Sequence, residues 1–249
     1  LAPSMGQPNS QLVNDIDMKN TGVEFEITAD LIKTHNLYWN IAFNGTHYKN
    51  IITRLPSDYP DEGKQVGSYW REVGGSLYNY YLYEWAGVNP TNGLPQYSSY
   101  YNLELDENGE EVKVLDSEGE FVDLVNSTSS GEATQIKTGK TPIPDLYGGF
   151  STYLSFYGFD LSAAFAYQIG GWTLDSNYQT LMTAGDLGSN WHKDIFNRWT
   201  PQNTDTDVPR VQNGYQDANQ TSTRFLINSS YFSVRNVTLG YTLPKHITD

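Results

Sequence analysis

Residues 148–168 read Gly-Gly-Phe-Ser-Thr-Tyr-Leu-Ser-Phe-Tyr-Gly-Phe-Asp-Leu-Ser-Ala-Ala-Phe-Ala-Tyr-Gln. Phe150, Thr152, Leu154 and Phe156 fall on alternate positions, a Tyr157-Gly158 turn follows, and Phe159, Leu161, Ala163, Phe165 and Tyr167 continue the same face. Period two predicts a β-hairpin. In that register Phe156 faces Phe159 and Phe150 faces Phe165, so aromatics stand at both ends of an apolar band with smaller residues between. The opposite face is small and polar: Ser151, Ser155, Asp160, Ser162 and Ala164. Alternation alone does not say whether the apolar face meets a protein core or lipid. The spacing of the aromatics leans toward lipid, because membrane barrels carry aromatic girdles about 25 Å apart at the two interfaces.

The same pattern recurs outward from this hairpin. Val23, Phe25, Ile27, Ala29 and Leu31 alternate with Glu24, Glu26, Thr28 and Asp30 between Gly22 and Lys33. After the Thr34-His35-Asn36 turn, Leu37, Trp39, Ile41 and Phe43 alternate with Tyr38, Asn40 and Asn44, which predicts a second hairpin. Residues 49–74 read as a loop, with Pro56, Pro60 and several glycines. Leu77–Ala86 and Leu94–Tyr101 read as two strands joined through the tight turn Asn89–Gly93. A last strand runs from Tyr231 to Thr242 and ends before Pro244. Seven strands are therefore expected, with short turns after the first, third and fifth. Long connections follow the second, fourth and sixth, roughly 49–74, 102–147 and 169–230. Strict alternation of short and long connections is the pattern of an outer-membrane barrel.

Composition narrows the function. The 249 residues carry 15 Lys and Arg against 29 Asp and Glu, a net charge of −14. Such a chain is a poor nucleic-acid binder, since phosphate recognition rests on clustered cations. Cysteine is absent, which removes thiol nucleophiles, disulfide scaffolds and Cys-based zinc sites. Aromatics make up 14% of the chain, a composition that favours strands. No stretch supplies the ~20 apolar residues of a membrane helix, and Leu1–Gly6 does not read as a signal peptide.

Residues 102–125 hold nine carboxylates and one lysine, with Asp106-Glu-Asn-Gly-Glu110 echoed by Asp116-Ser-Glu-Gly-Glu120. We read residues 102–137 as an acidic loop insertion, a small meander with two turns. A calcium loop would need further ligands and a bidentate Glu at fixed spacing, and these are missing. No metal or cofactor is expected.

Catalytic constellations are equally scarce. The chain has no G-x-S-x-G, H-E-x-x-H, P-loop or G-x-G-x-x-G, and His35, His47, His192 and His246 are scattered. Glu24 and Glu26 share a strand face and mimic a glycosidase pair, yet inward-facing charges of a water-filled barrel explain them better. Asn44-Gly-Thr46 and Asn236-Val-Thr238 match the glycosylation pattern but fall inside expected strands. No catalytic residue is expected. Ligand binding is better supported: Trp172, Trp191 and Trp199, with Arg198, Arg210 and Arg224, lie in or beside the longest loop. Aromatic faces stack on sugar rings or peptide side chains, and guanidinium groups hydrogen-bond polar ligands. The competing reading is that Trp191, Trp199 and Arg198 pack the loop and hold its shape.

Several stretches taken together resemble the SusC/RagA-type TonB-dependent outer-membrane transporters, in the C-terminal part of their barrel. They are Met18-Lys-Asn-Thr-Gly-Val-Glu24, Trp85-Ala-Gly-Val-Asn-Pro90 with Asn92-Gly-Leu-Pro95, and Thr138-Gly-Lys-Thr-Pro-Ile-Pro-Asp-Leu-Tyr-Gly-Gly149. Gly158-Phe-Asp-Leu-Ser162, Arg198-Trp-Thr-Pro201 through Val208-Pro-Arg210, and Arg235-Asn-Val-Thr-Leu-Gly-Tyr-Thr-Leu-Pro244 continue the series. The resemblance covers nearly the whole chain apart from the acidic insertion. It implies an all-β fold, an antiparallel segment of about seven strands from a transmembrane barrel of about 22, with long external loops and the whole of residues 1–249 inside one barrel domain. It also implies that a plug domain and the final strands lie outside this chain, since seven strands cannot close a barrel. The implied role is import of oligosaccharide or peptide across the bacterial outer membrane. The implied partners are the remaining segments of the same transporter, a SusD-like surface lipoprotein, TonB and the lipid membrane. The alternatives are a soluble, secreted β-rich glycan-binding module, whose aromatic faces would be buried in its own core, and a surface glycosidase with carboxylates in a cleft.

Overall fold

Tyr157 and Gly158 both take positive φ, 47° and 87°. This is the backbone of a tight two-residue hairpin turn whose twist matches that of the flanking strands. The strands it joins, Leu146–Phe156 and Phe159–Ile169, pair with Phe156 opposite Phe159 and Phe150 opposite Phe165, as the pattern predicts. The computed structural model describes residues 15–105, 111–114, 123–127, 129–183, 188 and 190–244. Leu1–Gly6, His246 and the two acidic echoes at 106–110 and 116–120 lie outside the described residues.

This hairpin is the centre of a five-stranded antiparallel sheet. Its order is Asp17–Lys33, Leu37–Arg54, Leu146–Phe156, Phe159–Ile169 and Tyr231–Tyr241, so neighbours in the sheet follow one another along the chain. Pairing carries one face across all five strands: Ile27 lies opposite Phe43, Phe43 opposite Phe150, Phe150 opposite Phe165, and Phe165 opposite Val234. Paired residues share a face, so the apolar sets of the separate strands merge into one surface. It stays uncovered: Val23, Ile27, Val237 and Leu239 are 65%, 58%, 58% and 72% exposed. A soluble sandwich would bury this face against a second layer. The reverse face carries Glu24, Glu26, Asp30, Asn40, Asn44, Ser151, Ser162 and Thr238. An eleven-residue strand extends about 37 Å, and a tilt of about 40° still leaves about 28 Å along the membrane normal. No helix among the described residues is long and apolar enough to cross a membrane.

Five strands, not seven, make this wall. The expected strand at Leu77–Ala86 is two, Asn79–Tyr83 and Trp85–Val88, and the expected Leu94–Tyr101 strand runs from Pro95 to Leu105. They belong to separate small sheets, and the reason is burial: Tyr80, Leu82 and Tyr97 are only 3%, 1% and 0% exposed, so these strands are covered as in a water-soluble domain. The wall therefore has two short turns, at residues 34–36 and 157–158, and two long excursions, 55–145 and 170–230, all leaving from the opposite end. The expected loop at 49–74 begins as strand up to Arg54 and includes the short strands Lys64–Val66 and Tyr69–Arg71. In the acidic insertion, Glu111–Val114 and Asp123–Ser127 both pair with Pro95–Leu105.

Most of the hydrophobic core sits in the excursions, although Ile52 of the Leu37–Arg54 strand is also fully buried. Met182, Ile195, Val208 and Phe225 form one cluster, and Tyr80, Leu82 and Leu226 another, with Leu174 packed against both. The second cluster takes residues from both excursions and so fuses them into one body.

Candidate functional site

The excursions are held by contacts local sequence does not announce. Trp85 donates its backbone N–H to Thr223 Oγ1 at 3.0 Å, and Tyr97 donates its hydroxyl to the Asp217 carbonyl at 2.6 Å. Tyr83 bridges to Ser222 in parallel fashion. Burial pushes the Tyr97 hydroxyl well above the ordinary phenol pKa, with the Asp217 charge adding to the effect. The same desolvation raises Tyr80 to about 12.

Five of the six residues singled out in the sequence are engaged inside this body. Trp199 lies flat on Gly93, so close that a Cβ there would run into the indole, and its Nε1 donates to the Pro90 carbonyl at 3.0 Å. Gly93 also needs its positive φ of 73°. Arg210 also holds this turn, with Nη1 donating to the Asn92 carbonyl at 3.0 Å and its backbone N–H to the Gly93 carbonyl at 2.9 Å. Arg224 stacks over Trp85 at 4.8 Å and donates to the Ala218 carbonyl at 3.2 Å. Burial lowers its pKa, partly offset by Tyr178, Tyr97 and Asp207. Trp172 packs beside Tyr80 and Leu226, with Lys140 Nζ 3.8 Å above its ring. Arg198 ends the Lys193–Asn197 turn and donates its backbone N–H to the Ile195 carbonyl at 3.2 Å. Trp191 differs, being 38% exposed; Phe196, on the neighbouring turn, is 80% exposed.

The structure brings together a set that the sequence reading missed. Tyr81, Tyr83, Gln135, Gln220 and Thr221 line one cavity with Gly67, Ser68 and Leu82. Only the alternation of Tyr80 and Leu82 with Tyr81 and Tyr83 hinted at it, because the other residues come from three separate stretches. On the wall, the polar face carries Asp30, which accepts from the Tyr38 hydroxyl at 2.7 Å and from Asn40 Nδ2 at 2.8 Å. Among the described residues no cluster of three His, Asp or Glu side chains is placed to hold a metal.

The same fold is found in solved structures. In overall shape the chain matches the RagAB peptide importer in its closed-closed state, with a TM-score of 0.72 and 26% identity over 100% of this chain and 25% of that one. A second RagAB peptide transporter structure matches with a TM-score of 0.71 and 27% identity over 99% of this chain and 25% of that one. In sequence it is 30% identical to TonB-dependent receptor P3 of Formosa agariphila over 98% of its length. It is 24% identical to TonB-dependent receptor SusC of Bacteroides thetaiotaomicron over 95%. The chain corresponds to a stretch of SusC/RagA-type receptor barrel. It spans about a quarter of the length of these relatives, 23% of the first and 22% of the second. No protein-family model matches it. The SusC/RagA likeness assigns the wall to the bacterial outer membrane and explains why its apolar face has no protein cover. Such relatives are receptors and importers rather than enzymes, in agreement with the motif-poor sequence.

Proposed function

We propose that this chain forms part of the barrel wall and the extracellular ligand-capture body of a TonB-dependent importer for oligosaccharides or peptides. The observation that carries the reading is the exposed apolar face running unbroken over five strands, with a polar face behind it. Among the described residues the outer edges of Asp17–Lys33 and Tyr231–Tyr241 have no partner strand, and unpaired edges are not viable in lipid. Further strands of the same transporter would complete them. The body formed by the two excursions stands where a ligand arrives and where a SusD-like lipoprotein would close over it. TonB would act through a plug held inside the barrel, whose polar lining includes Glu24, Glu26 and Asp160. The test is a transport assay. Cells carrying the intact receptor should take up labelled oligosaccharide or peptide, and uptake should stop when the proton-motive force is collapsed. Uptake that persists without the force, or no uptake of either class, refutes the reading.

A further inference from the structure

The short strand Asn79–Tyr83 lies inside its sheet, with Tyr69–Arg71 on one edge and Gln135–Lys137 on the other. It turns Tyr80 and Leu82 into the core and presents Tyr81 and Tyr83 on the reverse side. There the two tyrosines help to enclose a cavity of about 300 Å³ with Ser68, Gln135, Gln220 and Thr221, at the small end of ligand pockets, which run roughly 300–1,000 Å³.

Two properties of the lining are informative. First, it contains no charged side chain, although the chain as a whole has a net charge of −14. Second, its polar groups are uncommitted. The Ser68 hydroxyl, the Gln135 and Gln220 side-chain amides and the Tyr81 and Tyr83 hydroxyls make no hydrogen bond within the described residues. Thr221 Oγ1 accepts from Gln179 Nε2 at 3.0 Å and keeps its own proton to donate. The rings are held in place, Tyr81 against Trp70 at 4.7 Å and Tyr83 against Tyr97 at 5.9 Å, so little side-chain entropy remains to be lost on binding.

We propose that this cavity is a binding subsite for a neutral oligosaccharide. A sugar offers closely spaced hydroxyls that both donate and accept, matched by neutral amides and hydroxyls with free valences, and an apolar ring face that packs on tyrosine. A peptide is served less well. Both edges of the central strand are already paired, so Asn79–Tyr83 offers it no backbone ladder, and no charge here meets a terminus or an ionised side chain.

The assignment rests on the import reading, so the test separates the two. The intact receptor in detergent is titrated calorimetrically with neutral malto-, cello-, manno- and xylo-oligosaccharides, with uronic-acid oligosaccharides and with a mixed short-peptide library; uptake of the same probes is measured in cells. Variants are Gln135→Leu with Gln220→Leu, and Tyr81→Phe, which keeps the ring and the packing. The expected result is binding of a neutral oligosaccharide, weakened about tenfold or more by the double amide variant and severalfold by Tyr81→Phe, with uronic-acid analogues excluded. Equal binding by wild type and variants, with uptake intact, overturns the subsite and leaves the importer standing. Binding of peptides alone, or of no probe while uptake proceeds, overturns the glycan assignment. Absence of uptake for every probe removes the import reading itself.

Discussion

Tyr167 reaches across a neighbouring strand to Asn44, donating its hydroxyl to the Asn44 backbone carbonyl at 2.8 Å. Its ring stacks on Phe43 with centroids 5.6 Å apart and planes within 4°. The crossing is possible because Gly148 and Gly45 lie beneath: a Cβ on Gly148 would run into the Asn44 carbonyl, and one on Gly45 would run into the Phe25 ring. The aromatic band at this level of the wall is therefore built over two glycines.

Replacing Gly148 by Ala should disrupt this level of the sheet, while Tyr167→Phe should lose only one hydrogen bond, about 1 kcal/mol. Unfolding midpoints in detergent, followed by tryptophan fluorescence, should fall clearly further for Gly148→Ala. Equal midpoints for the two variants would disprove the close crossing.

Val237 and Thr238 are adjacent but face opposite sides of the wall, paired with Ala163 and Ser162. Arg at position 237 should cost about 2–4 kcal/mol in a bilayer, the range for a cation at mid-depth on the lipid face of a barrel. Thr238→Arg, on the polar face, should assemble at near wild-type yield. Outer-membrane recovery of both variants decides which face meets lipid.

Removing the indole of Trp199 should free the Asn89–Gly93 turn without touching the wall. Limited proteolysis of Trp199→Ala should show new cleavage near Asn92, with the wall's unfolding midpoint unchanged. If no new cleavage appears, Arg210 and the turn's own hydrogen bonds hold it without Trp199.

Alkaline pH should loosen the outer body before the wall. Tyr80 and Tyr97 have pKa values raised above the ordinary 10.0 by burial. A raised folded-state value gives stability that is fully present below pH 10 and is lost as pH climbs toward 12 and beyond. Near-ultraviolet circular dichroism should report loss of tyrosine packing over that window, while far-ultraviolet strand signal persists. Simultaneous loss of both signals would contradict the separation.

How far the sequence carried the fold depends on the range of the interactions. Alternation in 148–168 and 22–44 is local, so both hairpins were legible, and in 148–168 the register too; in 22–44 a bulge between Asp30 and Ile32 shifts the pairing. Strands around Tyr80 and Tyr97 carry a similar alternation, and what separates them from wall strands is burial by residues more than a hundred positions away, such as Asp217 beneath Tyr97. For the same reason the sequence left Trp199 open between ligand binding and packing of the loop, and offered Arg210 as a binding group: their partners, Pro90 and Asn92, lie in a distant turn. Gln135 and Gln220 had no local signal at all.

Both long excursions leave the wall at one end, through the junctions near Arg54, Leu146, Ile169 and Tyr231. The chain thus enters and leaves the outer body at four points, and hydrogen bonds of Ile52 with Gly74 and Gly75 and of Leu77 with Asn50 tie that body to the wall as well. Because the five strands pair with one another, a loop lengthened far from these contacts should leave their register unchanged.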